Sequence, residues 1–180
     1  TRKHGKKVDV EYLLKPGEPY FVHEVDYQVD DSIIRQLLQL DSPLNFQLRA
    51  GRKFTVNDLD AERKRITQIL NDSGYYRFHK EFITFVADTA HGSRLVNILL
   101  ILSKYRREEM PDTLHKRYHM KSVTYASGAA DDSVIHLRPS VLRECNHIEP
   151  GSFYSANNLR RTYNHFGRMG AIRYTNITFT

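Results

Sequence analysis

The chain has 180 residues, of which 40% are hydrophobic and 27% charged, a balance that fits one ordinary soluble domain or two small ones and argues against global disorder. Its longest apolar run, Ile98 to Leu102, falls far short of the roughly 18 residues of a membrane helix, and its one cysteine, Cys145, excludes an intramolecular disulfide and a zinc site built on several thiolates. The formal charge of +6 and pI near 9.4 would suit an acidic partner, but Arg2, Lys3, Lys6 and Lys7 crowd the terminus and Arg63-Lys64-Arg65 and Arg106-Arg107 have acidic neighbours, so the excess reads as solvated surface.

The basic start, Thr1 to Lys7, resembles the first part of an export signal, yet Val8 to Leu14 alternates with charge instead of forming a solid apolar core. Val8, Val10 and Tyr12 against Asp9 and Glu11 predict a strand, stopped by Lys15-Pro16-Gly17. After Pro19 a second alternation sets Phe21, His23, Val25, Tyr27 and Val29 against Glu24, Asp26 and Gln28, again a half-buried strand. Asp30-Asp31-Ser32 offers N-cap chemistry to a short helix carrying Ile33, Ile34, Leu37, Leu38 and Leu40, which ends before Ser42-Pro43. Phe46, Leu48 and Phe54 punctuate the polar connection that follows. Thr55 caps a second helix with Asp58, Asp60 and Glu62 in its first turns and Leu59, Ile66, Ile69 and Leu70 on one face, stopped by Ser73-Gly74.

Phe82 to Val86 predicts a strand that turns at His91-Gly92-Ser93 into Leu95 to Leu102. That last run is apolar on both faces except at Asn97, so it is expected to be central and covered on both sides, with its hairpin partner over 78–88 at the edge. Arg106 to Thr113 reads as a linker. Strand patterning resumes over Tyr118 to Tyr125 and Val134 to Leu137, a short helix is expected over Pro139 to Cys145, and Ala171 to Thr180 supplies a returning strand.

The second half echoes the first. Thr55-Val-Asn57-Asp-Leu59 matches Ser155-Ala-Asn157-Asn-Leu159, each preceded by an aromatic (Phe54, Tyr154) and a glycine (Gly51, Gly151), and Phe166 follows Leu159 by the same seven residues that separate Ile66 from Leu59. The order is two copies of one α+β unit in series. Residues 19–106 form a complete copy and 107–116 a linker. Residues 117–180 form a copy that stops before its last strand, and 1–18 resemble the last strand of a preceding copy. The chain, which does not begin with Met, is thus expected to be a slice of a longer array.

Gly51 to Phe85, in particular Phe-Thr-Val-Asn-Asp-Leu-Asp-Ala-Glu-Arg followed by Gly-Tyr-Tyr, together with Pro150-Gly-Ser-Phe-Tyr-Ser and the junction Lys15-Pro-Gly-Glu-Pro-Tyr20, resembles POTRA (polypeptide-transport-associated) domains of the outer-membrane β-barrel assembly family, the BamA and TamA group. The resemblance implies tandem β-α-α-β-β domains, two helices on a three-stranded mixed sheet, repeated in the periplasm before a membrane β-barrel that this chain does not contain. It implies a scaffold without catalysis or cofactor. Its partners would be unfolded outer-membrane or secreted polypeptides and accessory lipoproteins of an assembly complex, with no nucleic acid. Recognition would run through β-augmentation, in which an extended peptide joins a sheet edge, and the edge expected here is Phe82, Ile83, Thr84, Phe85 and Val86, with Lys80 and Glu81 as guarding charges. The insert Gly128 to Ser133 and the long link over residues 42–54 depart from the family pattern.

Reactive chemistry finds little support in the residue pattern. His115 and His119 could share a strand face, but no carboxylate accompanies them and both read as solvated imidazoles rather than metal ligands. Asp58, Asp60 and Glu62 read as complements to a helix dipole. Ser133, Ser140 and Ser155 lack a Gly-x-Ser-x-Gly elbow, no phosphate loop occurs, and Cys145 reads as a small buried hydrophobe. Tyr75 and Tyr76 are expected to wedge the second helix onto the sheet. The competing function is a basic nucleic-acid-binding α/β module using Phe82, Phe85 and Tyr174 as stacking platforms. A third reading is a structural spacer between membrane and partners.

Overall fold

The computed structural model describes residues 2–4, 7–40, 46–89, 93–107, 110–127, 135 and 137–180. The insert Gly128–Ser133 lies outside the described residues, as do two of the four positions of the strand expected over Val134–Leu137.

The centre of the fold is a three-stranded sheet. β1 (Arg2–His4) and β2 (Lys7–Asp9) make a small antiparallel hairpin before it. β3 (Phe21–Gln28) is followed by α1 (Ser32–Leu40) and α2 (Val56–Asp72), then by β4 (Ile83–Thr89) and β5 (Leu95–Leu102). The sheet order is β3-β5-β4, with β3 parallel and β4 antiparallel to β5. The run read as central is central, and its hairpin partner stands at the edge. A parallel pair needs a crossover, and the two helices supply it on one face.

Local chemistry explains the helix limits. Asp31 Oδ1 accepts from the amides of Ile33 (2.9 Å) and Ile34 (3.2 Å), capping α1. Thr55 Oγ1 accepts from the Asp58 amide at 3.1 Å and donates to Asp58 Oδ2 at 2.8 Å, a reciprocal cap. Gly74, with φ +107°, ends α2 in a backbone conformation that suits glycine.

Ile34, Leu38, Ile66, Leu70, Tyr75, Phe78, Ile83, Leu100 and Leu102 pack between helices and sheet, beside a smaller cluster of Val22, Leu48, Val96 and Ile98. Each full burial of such a side chain contributes about 1.5–3 kcal/mol. Two expectations change here. A register shift between Val22 and Glu24 places one extra residue in β3, so Val22 is buried while Phe21 is exposed; a bulge exchanges the faces, and the alternation read from the sequence holds only after it. β5 is covered on one face alone: Val96, Ile98, Leu100 and Leu102 are buried, but Leu95 is exposed and Leu99 and Ile101 are half-buried.

The segment expected as linker forms a hairpin instead, β6 (Tyr105–Arg107) with β7 (Met110–Thr113). Two helices follow, α3 (Pro139–Cys145), opened by proline at its first position as the sequence indicates, and α4 (Ala156–Arg168), capped by Ser155 through the Asn158 amide at 3.2 Å. Cys145 ends α3 half-buried rather than buried. Residues 118–125 and 171–180, expected as strands, form no strand; their one bridge joins His119 to Phe153. The expected strand over Val8–Tyr12 shortens to β2, and Val10, Tyr12, Leu13 and Leu14 are exposed. β3 and β4 show why such segments stay unpaired: as strands each pairs with β5 and not with the other.

Three backbone bonds of the first half have counterparts in the second. Gly51 N donates to Val22 O (2.7 Å) as Gly151 N does to Met120 O (2.6 Å); Val22 N to Arg52 O (2.8 Å) as Met120 N to Ser152 O (2.8 Å); Phe54 N to Tyr20 O (2.8 Å) as Tyr154 N to Tyr118 O (2.9 Å). Gly51 and Gly151 share positive φ angles of 79° and 84°.

Candidate polypeptide-binding edge

Among the described residues β4 pairs with β5 alone and stands at the edge of the sheet. The expected site residues fall along it unequally. Phe82 lies in the 3-10 turn Lys80–Phe82 that precedes β4, its ring packed on Phe78, Tyr105 and His115. Ile83 is buried. Thr84 and Val86 are exposed on the open sheet face and Phe85 is half-buried beneath the Arg63 guanidinium, 5.0 Å from its ring centre.

Backbone register decides what this edge can bond. Ser103 N donates to Phe82 O at 2.8 Å, and residues 83 to 89 pair in order with 102 to 96. Directly opposed residues in an antiparallel pair alternate between bonded and non-bonded. Thr84, Val86 and Asp88 therefore spend their amides and carbonyls on β5, while Ile83, Phe85, Ala87 and Thr89 point theirs outward. The outward carbonyl of Ile83 accepts from Arg63 Nε at 3.1 Å. The groups of Phe85, Ala87 and Thr89 remain for an incoming strand, shifting the open stretch toward the hairpin turn. The other edge, β3, is covered at its start by residues 51–54 through the bonds given above.

The near end of β4 is closed by an aromatic cluster. His115 follows the β6–β7 hairpin and sits edge-on to Phe78 (4.9 Å) and Phe82 (4.7 Å), with Nε2 2.9 Å from Ser103 O. It is buried, not solvated as its sequence context indicates. Burial pushes its pKa below the ordinary histidine value, against the smaller opposing pull of the Ser103 carbonyl and Asp31. His119 is exposed and lies on the Phe153 ring. Among the described residues no group of three or more His, Cys, Asp or Glu is placed to hold a metal.

The three carboxylates in the first turns of α2 take three roles. Asp58 belongs to the cap and Asp60 pairs with Lys64 at 2.7 Å on the surface. Glu62, read as a dipole complement, is fully buried, accepts from the Gln47 amide at 2.9 Å and pairs with Arg65. It tethers the connection after α1 to α2. Nearby, burial and then Glu62 push the Tyr27 phenol up to about 12.

The sequence reading missed the joint between the two halves. Asp72, the last residue of α2, accepts through Oδ1 from the Asn157 amide (2.6 Å) and the Ser155 hydroxyl (3.2 Å) at the start of α4. Thr55 in the corresponding cap uses its own Asp58; position 158 is Asn, and the carboxylate comes from the neighbouring helix. Arg117 donates to Ser73 O at 2.8 Å and stacks 3.5 Å above Phe153. Tyr75 enters the core as expected, but Tyr76 packs against Tyr118, Tyr154 and Phe179 of the second half. The Asn-for-Asp difference within an otherwise repeated cap was the available signal.

No protein-family model matches the chain, and no curated protein matches it. Among solved structures, that of Haemophilus ducreyi BamA lacking POTRA domains 1–3 superposes with a TM-score of 0.50 at 16% identity, over 84% of this chain and 24% of that one. The chain has a POTRA-type fold. The POTRA3–5 fragment of Haemophilus influenzae BamA is also similar, with a TM-score of 0.46 at 15% identity over 84% of this chain and 50% of that one. The POTRA order β-α-α-β-β corresponds to β3-α1-α2-β4-β5, and the edge described above is its second strand. Phe82 and Phe85 turn toward the helix side of this POTRA sheet, and Tyr174 is exposed in the second half. The three do not assemble a stacking platform on its open face. No helix among the described residues is long and apolar enough to cross a membrane.

Proposed function

We propose that this chain is a non-catalytic run of POTRA domains, one over residues 19–106 and a second over 117–180, from a periplasmic scaffold that assembles or translocates outer-membrane proteins. Residues 1–18 belong to a preceding domain and the membrane barrel lies in a part of the protein outside these 180 residues. The scaffold receives unfolded polypeptide by β-augmentation on β4 and docks accessory lipoproteins.

The observation that carries the reading is the outward set of backbone groups at Phe85, Ala87 and Thr89 on a free edge. Such an edge recognises main chain with little regard to sequence, which suits a class of many unfolded clients. Proline separates this function from stability. At Ala87 it removes an outward amide that β5 does not use; at Val86 it removes one that β5 does use. Ala87→Pro should abolish binding of an extended apolar-alternating peptide, read by fluorescence anisotropy, with little change in melting temperature, whereas Val86→Pro should unfold the sheet. Wild-type affinity in the Ala87→Pro protein would refute the edge.

A further inference from the structure

Both halves tie the connection before the long helix to that helix, but with different side chains. An offset of 100 residues relates Gln47, Glu62 and Arg65 to His147, Thr162 and His165. In the first half the Gln47 amide donates to Glu62 Oε2 at 2.9 Å, and Arg65 pairs with the same carboxylate. In the second the His147 amide donates to Thr162 Oγ1, also at 2.9 Å, and that hydroxyl donates in turn to Asn158 O at 2.8 Å. Thr162, like Glu62, is buried, but it offers no carboxylate to a neighbour one turn on. His165 meets position 147 instead: its Nδ1 stands 3.2 Å from His147 Nε2, with the ring centres 4.6 Å apart.

The turn that presents His147 is braced by Asn146, whose Oδ1 accepts from the Ile148 amide at 3.1 Å and whose Nδ2 donates to the Ile148 carbonyl at 2.7 Å. α3 ends at Cys145, directly before this turn, with its Leu142 buried, so what holds His147 on α4 also holds the end of α3. Arg161 on α4 and Glu149 beyond the turn are the other charges that act on His147, and α3 itself carries Arg143 and Glu144, both exposed. Partial burial, then Arg161 and His165, keep the His147 pKa below the ordinary histidine value, against the pull of Glu149.

The two tethers answer acid differently. Arg65 keeps its proton at any physiological pH, and an ion pair with a buried carboxylate does not change between about pH 5 and 8. The facing nitrogens of His147 and His165 have room for one hydrogen between them: one ring donates and the other accepts. When both rings are imidazolium, each nitrogen carries a hydrogen and a share of positive charge, and the contact turns repulsive. A folded-state pKa below the unfolded one makes the contribution of His147 complete above about pH 6.5 and lost as the pH falls from there toward the folded value.

We infer that the His147–His165 pair is an acid-sensitive clasp, which holds the turn 146–148 and the end of α3 on α4 near neutral pH and releases them when both imidazoles are protonated. The corresponding tether of the first half stays closed over the same range. The clasp is independent of the β4 edge.

Native-state hydrogen exchange from about pH 7.5 to about pH 5, expressed as protection over the intrinsic rate at each pH, reads the clasp at the His147 amide. In the unaltered chain that amide should lose protection across the range. His165→Gln, at an exposed position, should hold its protection level, and His147→Gln, which installs the residue of the first half, should do the same at position 147. The Gln47 amide is the internal reference, and its pH dependence should be the same in all three proteins. Ring titration followed by heteronuclear NMR should show His147 and His165 coupled in the unaltered chain and a single step for His147 in His165→Gln. Constant protection at the His147 amide in the unaltered chain, an equal loss in both variants, or independent single-step titration of the two rings would overturn the inference.

Discussion

Asp72→Ala removes the one carboxylate that joins α2 to α4. Its Oδ1 accepts one backbone amide, that of Asn157 at 2.6 Å, and the hydroxyl of Ser155 at 3.2 Å. A hydrogen bond to a charged group is worth about 1.5–3 kcal/mol, and a negative charge at a helix start adds roughly 0.3–1 kcal/mol. Asp72 is half-buried, so solvent screens part of this, and the Ser155 hydroxyl still caps Asn158. About 2 kcal/mol is left for the joint, equivalent to roughly a thirty-fold shift in a local opening equilibrium. Native-state hydrogen exchange reads this directly. The Asn157 amide should exchange about thirty-fold faster in Asp72→Ala, while Leu100, at the centre of β5, keeps its protection. Asp72→Asn, which retains an acceptor oxygen without charge, should fall between. Unchanged exchange at Asn157, or equal acceleration at Leu100, would refute the assignment of a local latch.

Three other outcomes follow from the packing and titration. Ile66→Ala, at a fully buried position of α2, should cost about 2–5 kcal/mol in urea denaturation. Gly74→Ala is strained twice, by a φ of +107° and by a new Cβ 3.1 Å from the Phe153 ring and 3.4 Å from Arg117, and should loosen the joint; Gly151→Ala meets only the conformational penalty, since its surroundings are open. His115 is held neutral by burial, with a folded-state pKa below its unfolded value. Its contribution is therefore complete above about pH 6.5 and is lost as the pH falls from there toward the folded pKa, because the unfolded state binds the proton first. His115→Phe should flatten that part of the stability–pH curve.

The sequence exposes the first half of this fold well because its signals are local. Caps at Asp31 and Thr55, a helix stop at Gly74 and an apolar run at Leu95–Leu102 each leave a pattern in a few neighbouring residues. The bulge at His23 does not, because one extra residue changes faces without changing composition. Glu62 and His115 defeat the reading for the same reason: their burial depends on the Gln47 amide in one case, and on Phe78 and Phe82 in the other, partners far from them in sequence. Residues 118–125 carry strand chemistry without strand pairing, since pairing belongs to the partner as much as to the segment. The edge position of β4 was legible from the solid apolar run beside it, but which of its amides face outward needed the register.

The most direct test of the edge is amide exchange along β4 with and without an extended client peptide. Binding by strand addition should protect the amides of Phe85 and Ala87 and leave those of Thr84 and Val86 as they are, because β5 already holds them. Protection that is uniform along β4, or confined to other elements, would contradict recognition through this edge.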